Sequence, residues 1–220
     1  TGLTLNIFNN GRIEGIGGTG GTGANISVDS GWDLAGTICY AGSTGGAGGN
    51  ALLVEHDSSI TNNSEIWAGG GGGGGGGSFY LEFSWPGPYG SVPYRIWRAG
   101  GGGGGGGGYL SSAGGGSGSY PGDLNTTMGG TAGNPGVSGS QTAGGAGGDQ
   151  FNHLGASLTV GGNGGGPGLS GLSGTATTTS SAAVAKAGTA GAGGAPGNAI
   201  VQSGGVASII TTGDILGAIV

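Results

Sequence analysis

Two uninterrupted runs of nine glycines, GGGGGGGGG at 69–77 and again at 100–108, decide the fold of this chain. Glycine in a helix interior costs about 1 kcal/mol relative to alanine, so an α-helical run of glycines is unstable. Such a run can be a flexible linker or an extended threefold helix of the polyproline-II type, which makes no internal hydrogen bonds. In a bundle of such helices every face can contact another backbone, and the N–H and C=O groups can bond between helices.

The two runs belong to a series of nine glycine-rich blocks separated by differentiated inserts. The blocks are 15–23, 45–49, 69–77, 100–108, 114–118, 129–136, 144–148, 161–168 and 188–197. Because many blocks have similar lengths, an ordered bundle is favoured over a linker. We predict an irregular, non-helical fold over 1–220: one domain in which polyglycine-II helices pack hexagonally in layers. A collagen triple helix is excluded, since no Gly-X-Y period is sustained and there are 7 prolines.

The composition excludes several classes of function. Glycine accounts for 67 of 220 residues and charged residues for 6%, against about a quarter in ordinary domains. Four basic residues and a net charge of −6 argue against nucleic-acid binding, and no apolar run approaches the roughly 20 residues of a membrane span. The single cysteine, Cys39, cannot form a disulfide within the chain. No nucleophile elbow or paired-carboxylate spacing indicates an enzyme.

Three apolar segments, at 3–14, 51–67 and 199–220, predict a small β-strand cap. Each contains alternating Leu, Ile or Val, then Asn-Asn-Gly, Asn-Asn-Ser or Thr-Thr-Gly, and then a further Ile. This pattern is typical of a strand, a tight turn and a second strand. A bundle without side chains needs an apolar anchor, so we expect these segments to hold one end of it.

The connections between blocks alternate in character. In an antiparallel bundle, alternate connections lie at the same end. The long or aromatic connections are 24–44, 78–99, 119–128 and 149–160, whereas 50–68, 109–113 and 137–143 are short or belong to the strand-like segments. The alternation continues if an extra turn lies within 169–174 and 175–187 returns to the aromatic end. We therefore predict a functional end with recognition loops and a structural end.

The insert SFYLEFSWPGPYGSVPYRIWRA at 78–99 holds seven of the chain's fourteen aromatic residues. One interpretation is a local core in which these side chains cover one another. The other is a binding surface, because Tyr, Trp and Arg dominate interface hot spots and prolines limit the entropy lost on binding. A rigid scaffold that carries varied loops is typical of recognition proteins.

One segment matches a metal-binding repeat. GGAGGDQFN at 144–152 fits the calcium-binding nonapeptide of β-rolls. GGAGGNALL at 45–53 fits with Asn in place of Asp. Those repeats bind calcium in tandem stacks, and these two matches lie far apart. We therefore predict neither a metal site nor a cofactor.

The glycine blocks in NNSEIWAGGGGGGGGG (62–77) and NNGRIEGIGGTGG (9–21), together with the aromatic inserts, resemble the tail-fibre adhesins of T-even-type bacteriophages. The resemblance implies a polyglycine-II sandwich at the tip of a trimeric tail fibre on the virion, whose distal loops bind an outer-membrane protein, or lipopolysaccharide, of a Gram-negative host. The receptor-binding residues it implies are Trp32, Tyr40, Phe79, Tyr80, Phe83, Trp85, Tyr89, Tyr94, Trp97, Tyr120, Phe151 and His153.

Three other functions remain open from the sequence. An ice-binding polyglycine-II protein would need a flat face of small residues, and a structural, silk-like protein would not need differentiated loops. A calcium-dependent surface protein would need the β-roll. The aromatic insert at 78–99 favours the adhesin.

Overall fold

The computed structural model describes residues 4–28, 36–88, 90–110, 112–119, 128–131, 133–149, 159–176 and 184–220, with the backbone alone at 83–87, 91–94, 128–131 and 184–185. The strands are β1 Leu5–Asn9, β2 Arg12–Glu14, β3 Ile26–Val28, β4 Thr37–Cys39, β5 Leu52–Val54, β6 Ser58–Asn62, β7 Glu65–Trp67, β8 Phe79–Gly87, β9 Gly90–Arg98, β10 Met128–Thr131, β11 Val184–Ala187, β12 Asn198–Gln202, β13 Ala207–Thr211, β14 Asp214–Leu216 and β15 Ala218–Ile219. The described residues contain no helix, as the glycine content predicts. Accordingly, none of them forms a helix with the length and hydropathy to cross a membrane.

Ten glycine-rich segments lie between the strands. They are numbered here I (15–24), II (41–49), III (69–77), IV (100–108), V (112–118), VI (133–140), VII (143–149), VIII (159–166), IX (169–176) and X (188–197). Their backbone hydrogen bonds run between segments and recur every third residue. In segment III, for example, the amides of Gly70, Gly73 and Gly76 donate to the carbonyls of Gly107, Gly104 and Gly101 in segment IV, which runs antiparallel.

The two nine-glycine segments occupy the centre of the bundle. Within the described residues, segment III donates hydrogen bonds to II, IV and IX and accepts them from I, VIII and X. Segment IV donates to I, VI and VIII and accepts from III, V and VII. This connectivity arranges the ten segments in rows of three, four and three. Segments III and IV therefore have a neighbouring backbone on every side, which is why neither contains a side chain.

An outer segment contains more glycine when more of its faces are buried against other segments. Ile16, Thr19 and Thr22 of segment I are three residues apart, and all three are exposed. A Cβ on the intervening Gly18 or Gly21 would instead meet a backbone carbonyl of segment II. Segment VI keeps one glycine in three, each against segment IV, at Gly133, Gly136 and Gly139. A short Gly-X-Y period thus occurs at the edge of the bundle, although the whole chain has none.

The block boundaries from sequence need correction in two places. Gly129 and Gly130, assigned above to the block 129–136, lie in β10 and pair with β9. The bundle has ten described segments instead of nine, because a turn at Pro167 and Gly168 separates segment IX from segment VIII. The alternation of connections requires such an extra turn, but it lies just before the expected range 169–174, which belongs to segment IX.

The three apolar segments form a cap of parallel sheets. The sheet orders are β1-β6-β13, β14-β7-β2 and β15-β12-β5. The strands on either side of each turn lie in different sheets, so the turn is a corner. The middle segment supplies the central strands β6 and β7, and each of them pairs with its equivalents in the other two segments. One buried core draws on all three sheets and comprises Val54, Ile60, Ile66, Ala199 and Ile200. The predicted strands are confirmed, and they pair mostly between repeats; the exception is β12 with β15, both in the third segment.

Buried asparagines stabilise one corner of the cap. Asn9 Nδ2 donates to Asn62 Oδ1 at 2.7 Å, and Asn62 Nδ2 donates to Thr211 Oγ1 at 3.2 Å. These three residues occupy the same register position in β1, β6 and β13. Asn62 is fully buried, so the ladder satisfies polar groups that would otherwise cost about 1–3 kcal/mol each.

Candidate functional site

Most of the aromatic insert folds as the β8–β9 hairpin at one end of the bundle. Segment III leads into β8, and β9 leads back into segment IV. β10 pairs with β9 and β11 pairs with β8, which gives a four-stranded sheet in the order β10-β9-β8-β11. The β3–β4 hairpin lies beside it. Since β11 ends the connection 175–187, that connection returns to this end as the alternation predicts. This end is here called the aromatic pole.

The base of the hairpin is a local core. Tyr80 and Trp97 are fully buried, with ring centroids 5.3 Å apart, and they pack with Ile26 of β3. Trp97 Nε1 donates to Thr37 Oγ1 at 3.2 Å, and Phe79 is also buried. The expectation that Phe79, Tyr80 and Trp97 face a receptor is therefore wrong in this structure. They lie beside the bundle end, where burying apolar area stabilises the junction between glycine segments and sheet.

Charged side chains form hydrogen bonds at the base of the hairpin. Tyr80 Oη donates to Glu82 Oε2 at 2.6 Å, and Arg95 Nε donates to the same oxygen at 2.9 Å. Lys186 Nζ of β11 donates to the carbonyl of Thr37 at 3.0 Å. The bond from Arg95 joins β9 to β8, and the bond from Lys186 joins β11 to β4.

Cys39 of β4 belongs to this core as well. Burial raises the pKa of its thiol to about 11, so the thiol is protonated at neutral pH and is a poor nucleophile. The side chain packs against the cluster of Ile26, Tyr80 and Trp97, and its Sγ lies 3.5 Å from the Lys186 carbonyl oxygen. The thiol thus serves as a small packing group.

The remaining candidates lie further from the bundle or outside the described residues. Tyr40, which follows β4, is 46% exposed, and its hydroxyl accepts a hydrogen bond from Ser27 Oγ at 3.4 Å. Phe83, Trp85 and Tyr94 lie in the outer half of the β8–β9 hairpin. The candidates that fall outside the described residues are Trp32, Tyr89, Tyr120, Phe151 and His153.

The opposite end carries a second surface that the sequence reasoning missed, here called the cap pole. β5 and β12 follow segments II and X away from the bundle, and β2 and β7 return to segments I and III. The sheet β1-β6-β13 therefore crosses the end of the molecule. Phe8 and Ile210 occupy the same register position on its outer face and are 70% and 62% exposed. The only feature of the sequence that indicated this surface was Phe8, a large apolar residue next to Ile7, which faces inward.

The two poles differ in composition: one carries the aromatic hairpin and the other the exposed pair Phe8 and Ile210. Exposed apolar residues grouped on one face are typical of interaction sites, and an aromatic hairpin on a rigid scaffold is typical of recognition loops.

Comparison with known proteins identifies the family. The family model described as "Phage tail fibre adhesin Gp38" matches residues 1–220. Searches of curated proteins and of solved structures give no significant match. A protein of this family is located on the virion tail, binds a host receptor and is attached to the phage tail. The chain therefore belongs to the Gp38 family of phage tail fibre adhesins.

Proposed function

We propose that this adhesin stands at the distal tip of a trimeric tail fibre, attached through its cap pole, and binds an outer-membrane protein of a Gram-negative host through its aromatic pole. The observation that carries the proposal is that the β8–β9 hairpin and the exposed pair Phe8 and Ile210 lie at opposite ends of a bundle held by backbone hydrogen bonds. Binding is non-enzymatic and needs no cofactor.

The ten glycine-rich segments are, in this proposal, polyglycine-II helices that make 1–220 a single receptor-binding domain. Two observations support this. The hydrogen bonds between segments III and IV recur every three residues, which is the repeat of a threefold helix. In addition, the amides of segment III donate in turn to IV, IX and II, as expected when successive residues point about 120° apart. Such a bundle is rigid because moving one helix breaks bonds to several others.

At the aromatic pole, the proposed receptor contacts are Tyr40 and the outer part of the hairpin. Phe79, Tyr80 and Trp97 are left out, since they form the base. The candidates outside the described residues remain proposed contacts because they belong to connections that start or end at this pole: Trp32, Tyr89, Tyr120, Phe151 and His153.

Removal of the hairpin tip tests the receptor-binding role. Replacing 84–93 with Asn-Gly keeps the Phe83–Tyr94 pair and closes it with a favoured two-residue turn. We expect adsorption of the purified protein to susceptible cells to fall at least about tenfold, while the melting temperature changes little because the base is intact. The control is Gln141→Ala with Thr142→Ala, in an exposed turn at the cap pole. Adsorption that survives the tip replacement would contradict the assignment of this pole to the receptor.

The cap pole is tested separately by its attachment to the fibre. Phe8→Ser with Ile210→Ser removes the exposed apolar pair without touching the core of the cap. We expect this variant to lose association with the trimeric fibre in co-purification and to keep its adsorption to cells. Leu172→Ser, an exposed leucine on the side of the bundle, is the matched control. Unchanged association of the Phe8 and Ile210 variant would rule out this surface.

A further inference from the structure

We infer that Glu14 and Trp67 form a pH-sensitive contact at the junction between the β-strand cap and the glycine-rich segments. In mild acid the neutral side chain of Glu14 stays packed beside Trp67, and the junction is closed. As the pH rises, the ionised carboxylate turns towards water, exposes the indole N–H group of Trp67 and loosens the junction. This inference concerns the cap itself and depends neither on a receptor nor on the fibre.

Glu14 and Trp67 lie side by side on the outer face of the sheet β14-β7-β2. They occupy opposite positions in β2 and β7. The residues before them, Ile13 and Ile66, belong to the core of the cap, and successive side chains of a strand point to opposite faces. Glu14 Oε1 and Trp67 Nε1 are nevertheless closed off from solvent, and neither atom has a hydrogen-bond partner among the described residues. The face therefore holds two buried polar groups whose hydrogen-bonding capacity is unused.

The backbone on the bundle side of this pair is held firmly. Glu14 and Trp67 are the last residues of their strands. The Gly15 amide donates to the Trp67 carbonyl oxygen at 2.8 Å, and the Gly15 carbonyl oxygen accepts a bond from the Tyr109 amide at 3.0 Å. A Cβ on Gly15 would overlap the carbonyl of Gly49, so segment I is closely packed at this point. The carboxylate of Glu14 can therefore reach water only if its side chain rotates or the junction opens.

The other charged groups on this face do not neutralise Glu14. Within the described residues, the charged side chains of the face are Arg12, Glu14, Glu65 and Asp214. Arg12 Nε donates to Glu65 Oε2, and the guanidinium carbon of Arg12 lies 3.9 Å from the centroid of the Trp67 ring. Tyr109 is the titratable group on the adjoining turn. One guanidinium group thus serves three carboxylates, and its hydrogen bond goes to Glu65.

The direction of the pH effect follows from the burial of Glu14. Burial raises the pKa of its carboxyl group above the usual value, while Arg12 lowers this pKa and Glu65 raises it, each by less. The folded chain therefore binds a proton at Glu14 at pH values where the unfolded chain has released it. The resulting stabilisation is complete below the pKa of an unfolded glutamate, about 4.3, and is lost as the pH rises through the folded pKa. A carboxylate held by an ion pair has the opposite dependence.

Glu14→Gln tests the contact, because it keeps the shape of the side chain and removes its charge. We expect the melting temperature to rise by roughly 2–4 °C at about pH 8, where Glu14 is otherwise ionised, and by less than about 1 °C at about pH 4. The matched control is Glu55→Gln, which alters an exposed carboxylate of the cap between β5 and β6. It should change the melting temperature by less than about 1 °C at both pH values.

Tryptophan fluorescence measures the opening of the junction directly. The emission of Trp67 is the difference between the unmodified chain and Trp67→Phe. An indole group emits at longer wavelength when it is exposed to water. We therefore expect this difference spectrum to move to longer wavelength as the pH is raised from about 4 to about 8. The same difference, measured in the presence of Glu14→Gln, should not move.

Two results would overturn the inference. If Glu14→Gln is no more stable than the unmodified chain at about pH 8, the ionised carboxylate does not oppose the folded junction. If the emission of Trp67 in the unmodified chain does not change with pH, the junction stays closed; this measurement needs no substitution at Glu14 and stands even if Glu14→Gln fails to fold. Both measurements are made without cells or fibre, so their failure leaves the proposed function untouched.

Discussion

Gly104→Ala is expected to lower the free energy of unfolding by about 3–5 kcal/mol, although it adds a single methyl group. Gly104 lies in the middle of segment IV, and its added Cβ would overlap the carbonyl of Gly145 and lie 2.9 Å from the carbonyl carbon of Ala146. These are backbone atoms, so no side-chain rotation can relieve the overlap. Segment IV is bonded on six sides within the described residues, and any shift away from segment VII disturbs the other contacts. Gly104→Val, with a branched side chain, is expected to prevent folding.

Gly116→Ala provides the matched control in the same bundle. Gly116 is exposed in segment V, no atom lies within 4 Å of its added Cβ, and its carbonyl still accepts the bond from the Gly23 amide at 2.9 Å. We expect stability to be unchanged or to rise by about 0.4–1 kcal/mol, because alanine restricts the unfolded chain. Guanidinium unfolding monitored by circular dichroism measures both variants. Equal stability of Gly104→Ala and Gly116→Ala would mean that the central run is a linker and not a packed segment.

Trp97→Ala is expected to cost about 3–5 kcal/mol of stability, as large-to-small changes at buried tryptophans do. Trp97 is fully buried against Tyr80 and Ile26, and its Nε1 is bonded to Thr37 Oγ1. The substitution leaves a cavity at the point where the sheet meets the bundle. Receptor binding should fall only as far as the folded fraction falls. Thermal unfolding and adsorption to cells, measured on the same sample, separate the two effects.

Two controls accompany this prediction. Tyr109→Ala removes an exposed aromatic residue near the cap pole and should change stability by less than about 0.5 kcal/mol. Trp97→Phe should recover most of the packing and lose the hydrogen bond to Thr37, at a cost of about 1–2 kcal/mol. A Trp97→Ala protein with normal stability and no adsorption would restore the interpretation that Trp97 contacts the receptor.

The candidate site was only partly predictable from sequence. The insert 78–99 was correctly placed at the end of the bundle, because alternate connections of antiparallel segments must lie together. Its seven aromatic residues could be assigned to a local core or to a binding surface. The structure divides them: Phe79, Tyr80 and Trp97 lie in the core, while Phe83 and Trp85 lie beyond it. Sequence could not locate this division, since it depends on where β10 and β11 stop pairing with the hairpin.

The cap shows the same limit. Alternating Leu, Ile and Val predicted strands in 3–14, 51–67 and 199–220, since alternation depends on the strand's own geometry. It did not predict that β1, β6 and β13 pair in parallel, because those partners are separated by the glycine segments. The exposure of Phe8 and Ile210 follows from that pairing, so the sequence did not predict it either.

The sequence by itself determined that glycine forms the core. A run such as 69–77 has no side chain with which to bury area, so its backbone groups must bond to other segments if it is ordered. It also predicted that the inserts carry the functional chemistry, since the two central glycine segments offer only backbone. The tertiary structure decided which segments become central and which aromatic residues stay outside. Both depend on contacts between distant parts of the chain, and no local pattern of residues encodes how many neighbours a segment will have.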